Sequence, residues 1–148
     1  MKILELFSGT QSISNVFRDA GWETYTVELD PHFKDITTKT MDVMELTAEQ
    51  IIEEFGRPDV IWASPPCTAF SVASISHHWT GGWRVYEPKT EMARQSKELV
   101  QHTIKLIEEL QPKYWYIENP RGVLRKMPFI LPSPGARAAP AGETGLDR

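Results

Sequence analysis

The feature that most constrains the fold is a regular alternation of short apolar runs with stretches of helical periodicity. Five runs rich in β-forming residues are separated by segments of helical or connecting character. The predicted strands cover residues 2–7, 23–29, 38–43, 59–63 and 113–117. Strands that alternate with helices pair in parallel, with the helices packed on the faces of the sheet. The sequence therefore predicts an α/β domain.

Two helices have recognisable starts. Thr47 and Gln50 form the pattern of a capping box, and Thr90 can cap a long helix that Pro112 ends. Residues 64–89 show no periodicity, and we predict a long loop there.

Residues of special character follow the end of every predicted strand. They are Phe7-Ser8-Gly9-Thr10-Gln11 after the first strand, Glu28 and Asp30 after the second, Asp42 after the third, Pro65-Pro66-Cys67 after the fourth and Glu118-Asn119 after the fifth. Ligands of open parallel sheets bind outside the carboxyl ends of the strands. We therefore expect a binding site at this edge.

The first two strand ends are typical of a nucleoside site. Glu28 lies about 20 residues beyond the glycine turn, where a carboxylate can accept hydrogen bonds from both ribose hydroxyls. The turn has one glycine rather than the three of the dinucleotide fingerprint, so it does not predict a phosphate cradle. With Asp42 as an acceptor for an adenine amino group, the pattern fits an adenosine such as that of S-adenosylmethionine. A purely structural turn with solvated carboxylates is the alternative interpretation.

Cys67 is the only cysteine of the chain, and two prolines precede it. Prolines fix the backbone, as a nucleophile requires, although a lone thiol can also be a buried structural residue. His77 and His78 suggest a metal ligand set with Cys67, but adjacent histidines on a strand point apart, and we predict no metal site. Glu118 follows a parallel strand, so we expect its carboxyl to be partly buried and able to donate a proton.

Composition narrows the class of protein. The chain has 148 residues, no apolar run long enough to cross a membrane, and a single thiol that cannot form an internal disulfide. We therefore expect one cytoplasmic domain. Residues 1–80 carry a net charge of −7 and residues 81–126 one of +3. This asymmetry is consistent with a protein that contacts phosphates with one lobe, and it is equally consistent with a chance distribution of charge.

Four motifs together resemble the DNA cytosine-5 methyltransferases. They are LELFSGT, VELD, PPCTAFS and YIENPRG, in this order, and the resemblance covers about residues 2–127. It implies a Rossmann-like methyltransferase sheet with parallel strands in the order 3-2-1-4-5 and flanking helices. It also implies S-adenosylmethionine as the cofactor and DNA as the partner. The residues that it places at the cofactor are Phe7, Ser8 and Gly9, then Glu28 at the ribose, and Asp42 and Val43 at the adenine.

The resemblance also assigns chemical roles. The Cys67 thiolate would add to carbon 6 of cytosine, while Glu118 would donate a hydrogen bond or proton to ring nitrogen 3. Pro66 would shape the loop and Asn119 would fix it. The target base must leave the duplex.

Contacts with DNA are expected from the loop at residues 68–89 and from the turn after the fifth strand. The candidates are Ser71, Arg84 and Arg121. Trp79 and Trp83 are candidates to fill the space that the extruded base leaves, with core packing as the alternative for both.

Departures from the family pattern indicate a divergent, phage-like branch. Gln11 stands where the family usually has a second glycine, Thr68 where it has glutamine, and Pro120 where it has valine. The target-recognition region is missing, and residues 128–148 read as a disordered or non-native tail after a domain of residues 1–127. A second chain that supplies the missing part, or a non-catalytic remnant that binds the cofactor, are therefore alternatives to a complete enzyme. An amino-methyltransferase is disfavoured, since that class has a polar residue in the place of Cys67.

Overall fold

The computed structural model describes residues 1–82, 86–120, 122 and 124–126, and within them seven strands and four α-helices. The strands are β1 (Lys2–Leu6), β2 (Glu23–Glu28), β3 (Lys39–Thr40), β4 (Val60–Ala63), β5 (Trp79–Thr80), β6 (Glu87–Pro88) and β7 (Tyr114–Ile117). The helices are α1 (Ser12–Asp19), α2 (Ala48–Glu54), α3 (Ile75–His78) and α4 (Glu91–Leu110). None of these helices is long and apolar enough to cross a membrane.

Five strands form one parallel sheet in the order β3-β2-β1-β4-β7. Numbered along the chain within this sheet, the order is 3-2-1-4-5, so the predicted fold class is confirmed. The central strand β1 pairs with β2 from Lys2 to Leu6 and with β4 from Ile3 to Leu6. This double pairing brings the ends of β1, β2 and β4 to the same edge.

The two faces of the sheet are covered by different helices. Leu4 and Leu6 belong to a buried cluster that also takes side chains from α2 and α4. The alternate residue Glu5 lies on the opposite face, and its carboxylate accepts a hydrogen bond from the backbone N–H of Ser14 in α1 at 2.8 Å. Burial of the apolar cluster is the main stabilising contribution to such a domain.

The predicted helix starts are confirmed. Thr47 and Gln50 exchange both bonds of a capping box at the start of α2, at 3.2 and 3.0 Å. The Thr90 hydroxyl accepts a hydrogen bond from the Ala93 N–H at the start of α4. These side chains satisfy N–H groups that have no partner within the helix.

Two predictions of local structure were wrong. The third strand was expected at residues 38–43, but β3 covers only Lys39–Thr40. The Asp42 carboxylate accepts a hydrogen bond from the Met44 N–H at 2.9 Å and caps a 3₁₀ turn at Val43–Glu45. Such local side-chain bonds compete with strand pairing.

The second error concerns residues 64–89, which we predicted to be one long loop. The segment instead contains a 3₁₀ turn at Val72–Ser74, the short helix α3 and the antiparallel pair β5–β6. Elements of two to four residues are too short to produce a periodic pattern, which is why the sequence did not show them.

Asp59 ties three strands together at the amino edge of the sheet. Its carboxylate accepts the Lys2 N–H at 2.8 Å and pairs with the Lys113 ammonium at 2.7 Å. Its backbone carbonyl accepts the N–H groups of Lys113 and Tyr114. The Lys113 ammonium, with the Lys2 N–H as a second contribution, lowers the pKa of the Asp59 carboxyl below its usual value.

This arrangement predicts an acid-dependent contribution of Asp59 to stability. Because the pKa of Asp59 is lowered on folding, the carboxylate stabilises the fold above its unfolded pKa, near 4, and this stabilisation is lost as the pH falls through the folded pKa. Asp59→Asn should be less stable than wild type at pH 7, with a smaller difference at pH 3. Urea unfolding at both pH values, with the exposed Asp35→Asn as control, tests this. An equal deficit at both pH values would contradict it.

Candidate active site

The turn between β1 and α1 has an unusual backbone. Phe7, Gly9 and Gln11 all have positive φ angles, of 60°, 46° and 60°. A Cβ added to Gly9 would meet no atom within 4 Å. The positive φ favours glycine at Gly9, and the open space beside it leaves the backbone accessible to a ligand.

Glu28, the last residue of β2, is bonded to this turn. One of its carboxylate oxygens accepts the Gly9 N–H at 2.8 Å and the other accepts the Asp30 N–H at 3.0 Å. Each oxygen has a further lone pair, so the carboxylate is held in place and can still accept hydrogen bonds from a ligand. At the next strand end, Asp42 is half-buried and engaged in its 3₁₀ cap, and Val43 is buried.

A cleft of about 370 Å³ opens at the carboxyl edge of the sheet. It brings together three of the predicted cofactor residues, Phe7, Ser8 and Gly9, with the predicted catalytic residue Glu118. The other predicted site residues that the structure describes do not line this cleft; they are Glu28, Asp42, Val43, Pro66, Cys67, Ser71 and Asn119. Residues from the ends of three strands, β1, β4 and β7, therefore meet here, and only the ends of β1 and β7 contribute predicted residues.

The loop that carries Cys67 is fixed from the end of β7. The Asn119 side-chain N–H donates to the Pro65 carbonyl at 3.0 Å, and the Glu118 N–H donates to the Ala63 carbonyl at 2.8 Å. Pro65 is buried, Pro66 is exposed and Cys67 is half-buried. Asn119 is thus bonded to the backbone of the loop two residues before Cys67.

The expectation that Glu118 is partly buried was wrong, since the residue is exposed. The reason is the position of β7, which pairs with β4 on one side and with no other described strand on the other. The carboxyl end of such an edge strand is open to solvent.

The structure also places two of the residues expected at DNA or at the extruded base. Ser71 forms an antiparallel bridge with Gly122, and its hydroxyl lies 2.8 Å from that of Ser74. Trp79 is buried, stacks on Phe70 and donates its indole N–H to the Ala69 carbonyl. Trp79 therefore packs in a core, which was the alternative interpretation. Arg84, Arg121 and Trp83 lie outside the described residues.

His78 contacts the residue that caps α4. Its ring nitrogen Nδ1 lies 2.8 Å from the Thr90 hydroxyl, at the start of α4. In the part of the chain that the structure describes, no three histidine, cysteine or acidic residues are grouped so as to hold a metal ion.

Sequence reasoning missed five residues that line the cleft, namely Glu5, Ser12, Ile13, Trp62 and Ser64. Trp62 donates its indole N–H to the Ser64 hydroxyl at 3.0 Å, and Glu5 is a buried carboxylate. The period of two in β4, which separates Trp62 from Ile61 and Ala63, was a usable signal for Trp62. A charged residue within the apolar run of β1 was the signal for Glu5.

The sheet order, the glycine turn bonded to a strand-end carboxylate and the fixed Pro-Pro-Cys loop define the class of Rossmann-like α/β proteins with a site at the carboxyl edge. Residues 1–127 match the family described as C-5 cytosine-specific DNA methylase. The chain belongs to this family, which is a family of enzymes, and the resemblance stated above is confirmed.

Individual relatives agree with this assignment. The chain is 35% identical over 123 residues to a probable DNA (cytosine-5)-methyltransferase of Frog virus 3. It is 25% identical over 133 residues to the type II methyltransferase M.XorII of Xanthomonas oryzae, and 29% identical over 140 residues to M.FnuDI of Fusobacterium nucleatum. These alignments cover 81%, 81% and 85% of this chain, but only 54%, 28% and 34% of the relatives. The chain thus spans about half or less of their length.

The contact between the Cys67 loop and Gly122 yields a prediction. A Cβ at Gly122 would lie 2.3 Å from the Phe70 carbonyl oxygen, so Gly122→Ala must push the two segments apart. We expect a loss of about 1–3 kcal/mol in the free energy of unfolding. The single thiol of Cys67 should also react faster with Ellman's reagent.

The control for this prediction is Gly82→Ala, because a Cβ at the exposed Gly82 meets no atom within 4 Å. This variant should change stability by less than about 0.5 kcal/mol. Equal stability and equal thiol reactivity in the two variants would show that the bridge does not hold the loop.

Proposed function

We propose that this chain is the part of an S-adenosylmethionine-dependent DNA methyltransferase that binds the cofactor and activates carbon 5 of cytosine. The observation that carries the proposal is the shared cleft, in which the glycine turn of β1 faces Glu118 from the end of β7. Membership of the C-5 cytosine-specific DNA methylase family supports the same reaction.

The residues of the turn suit S-adenosylmethionine. The Glu28 carboxylate is fixed by two backbone N–H groups and keeps lone pairs for ribose hydroxyls. The Ser8 hydroxyl lines the cleft and is buried without a hydrogen-bond partner in the protein. A ligand that supplies one would satisfy a group that is otherwise costly to bury. We assign Asp42 and Val43 to the adenine end. When bound, the cofactor supplies an electrophilic methyl group on a sulfonium sulfur.

The chain's own residues activate the base. The Cys67 thiolate attacks carbon 6 of cytosine and forms a carbon–sulfur bond, and the electron pair of the 5–6 double bond moves into the ring. Glu118 stabilises this charge by a hydrogen bond or proton to nitrogen 3. Carbon 5 thereby becomes nucleophilic towards the methyl group that the cofactor would supply. A base removes the carbon-5 proton, which restores the double bond and expels the thiolate.

Pro66 and Asn119 act on the loop rather than on the base. Asn119 holds the carbonyl of Pro65, and Pro66 restricts the backbone directly before Cys67. A nucleophile that is fixed in this way loses little conformational freedom during attack.

DNA binding and target choice require more than the described residues. We assign Ser71, Arg84 and Arg121 to DNA contacts, and a second chain to the recognition of the target sequence. The exposure of Glu118 and the position of Cys67 outside the cleft favour a second candidate function, a non-catalytic remnant that retains cofactor binding.

The cofactor site is tested by calorimetric titration with S-adenosylhomocysteine. In Glu28→Gln, the side-chain NH2 group faces one of the two backbone N–H groups that donate to Glu28, and the negative charge is lost. The affinity for S-adenosylhomocysteine should therefore fall about tenfold or more. Glu23→Gln, at the exposed start of the same strand, is the matched control and should bind as wild type does. Equal affinities in both variants would exclude Glu28 from the site.

Catalysis is tested with duplex DNA that contains 5-fluorocytosine. Fluorine at carbon 5 cannot leave as a proton does, so the adduct with Cys67 should persist and migrate as a protein–DNA band on a denaturing gel. The band should require S-adenosylmethionine and disappear in Cys67→Ser. Binding of S-adenosylhomocysteine without any adduct, even when the chain that supplies target recognition is present, would favour the remnant over the enzyme.

A further inference from the structure

Gln11 is a buried residue in a backbone conformation that suits glycine. Its φ and ψ are 60° and 35°, and only 2% of the residue is exposed. It precedes α1, yet its side chain does not cap that helix. A residue with a side chain is strained at this φ, so the Gln11 side chain is present at an energetic cost to the backbone.

The side-chain amide of Gln11 forms hydrogen bonds through both its NH2 group and its oxygen. Its N–H groups donate to the Thr26 hydroxyl at 3.2 Å and to the Ile36 carbonyl, and its oxygen accepts from the Arg18 guanidinium at 3.1 Å. Thr26 belongs to β2, and Ile36 lies between β2 and β3. The amide therefore joins the turn of β1 to the connection that follows Glu28.

A pair of threonines extends this link. The N–H of Thr38 donates to the Thr26 hydroxyl at 2.9 Å, and the N–H of Thr26 donates to the Thr38 hydroxyl at 3.1 Å. The two hydroxyls lie 3.2 Å apart. The Thr26 hydroxyl thus bonds to Gln11 and Thr38 together, just before the strand end that carries Glu28.

We propose that Gln11 is a positioning residue that holds the turn between β1 and α1 against the connection between β2 and β3. This inference rests on the proposed function and deepens it. The turn contributes Gly9, whose N–H is held by Glu28, and Gln11 fixes the same two segments two residues further along. Two independent ties hold the ribose side of the site in its binding geometry before the cofactor arrives, which lowers the cost of ordering it.

A simpler role for Gln11, as one residue of a tight turn, makes the opposite prediction for one substitution. Glycine adopts a φ of 60° without strain, so Gln11→Gly should then preserve or improve both stability and binding. If the Gln11 amide instead holds the two segments together, Gln11→Gly should loosen the turn even though the substitution removes the backbone strain. The sign of the effect therefore separates the two roles.

The experiment measures hydrogen exchange of the free chain and titration with S-adenosylhomocysteine. In Gln11→Gly, the amides of Thr26 and Thr38 should exchange about tenfold faster, and the ligand should bind about tenfold more weakly. Gln11→Glu, which keeps the length of the side chain but replaces both N–H donors, should show the same losses. It carries the test if the glycine variant does not fold.

Gln111→Gly is the matched control, because Gln111 also has a positive φ, of 48°, and is exposed at the end of α4. It should leave exchange at Thr38 and ligand affinity unchanged. Unchanged hydrogen exchange and unchanged ligand affinity in both Gln11 variants would show that Gln11 is not a positioning residue. If the Gln11 variants exchange faster but the wild-type chain binds no S-adenosylhomocysteine, the positioning role of Gln11 is supported and the proposed function is contradicted.

Discussion

The parallel pairing of β1 with β2 on one side and β4 on the other is the constraint on which the rest of the structure depends. Parallel strands run in one direction, so every strand end that follows must open at the same edge. The turn after β1 meets the carboxylate at the end of β2 for this reason. The loop after β4 meets the end of β7 for the same reason, although Pro65 and Asn119 are 54 residues apart. The chemistry of the site is thus a consequence of topology.

The two edges of the sheet are stabilised by similar means and have different roles. At the amino edge, Asp59 holds the starts of β1 and β7 through backbone N–H groups and one ammonium. At the carboxyl edge, Glu28 holds the turn after β1 through backbone N–H groups alone. The Glu28 carboxylate therefore has no cationic partner among the bonds described for it, and its charge remains available to a ligand.

Much of this could be read from the sequence, because the relevant signals are local. The alternation of strands and helices predicted a parallel sheet, the family resemblance implied its strand order, and capping patterns at Thr47 and Thr90 predicted two helix starts. The short elements after Cys67 were missed because they are defined by tertiary contacts such as the stacking of Trp79 on Phe70. The exposure of Glu118 was missed because strand position within a sheet is not a local property. For the same reason, no local pattern indicates that Gln11 contacts Ile36.

The edge position of β7 also determines how the chain behaves in solution. Tyr114 and Tyr116 are each about half exposed on this strand, and Tyr116 packs beside Trp62 of β4. An aromatic strand whose outer backbone groups are unpaired by any described strand is a template on which another strand can add. Self-association of the purified chain should therefore begin at the outer edge of β7, which β4 and β1 separate from the Glu28 carboxylate at the end of β2.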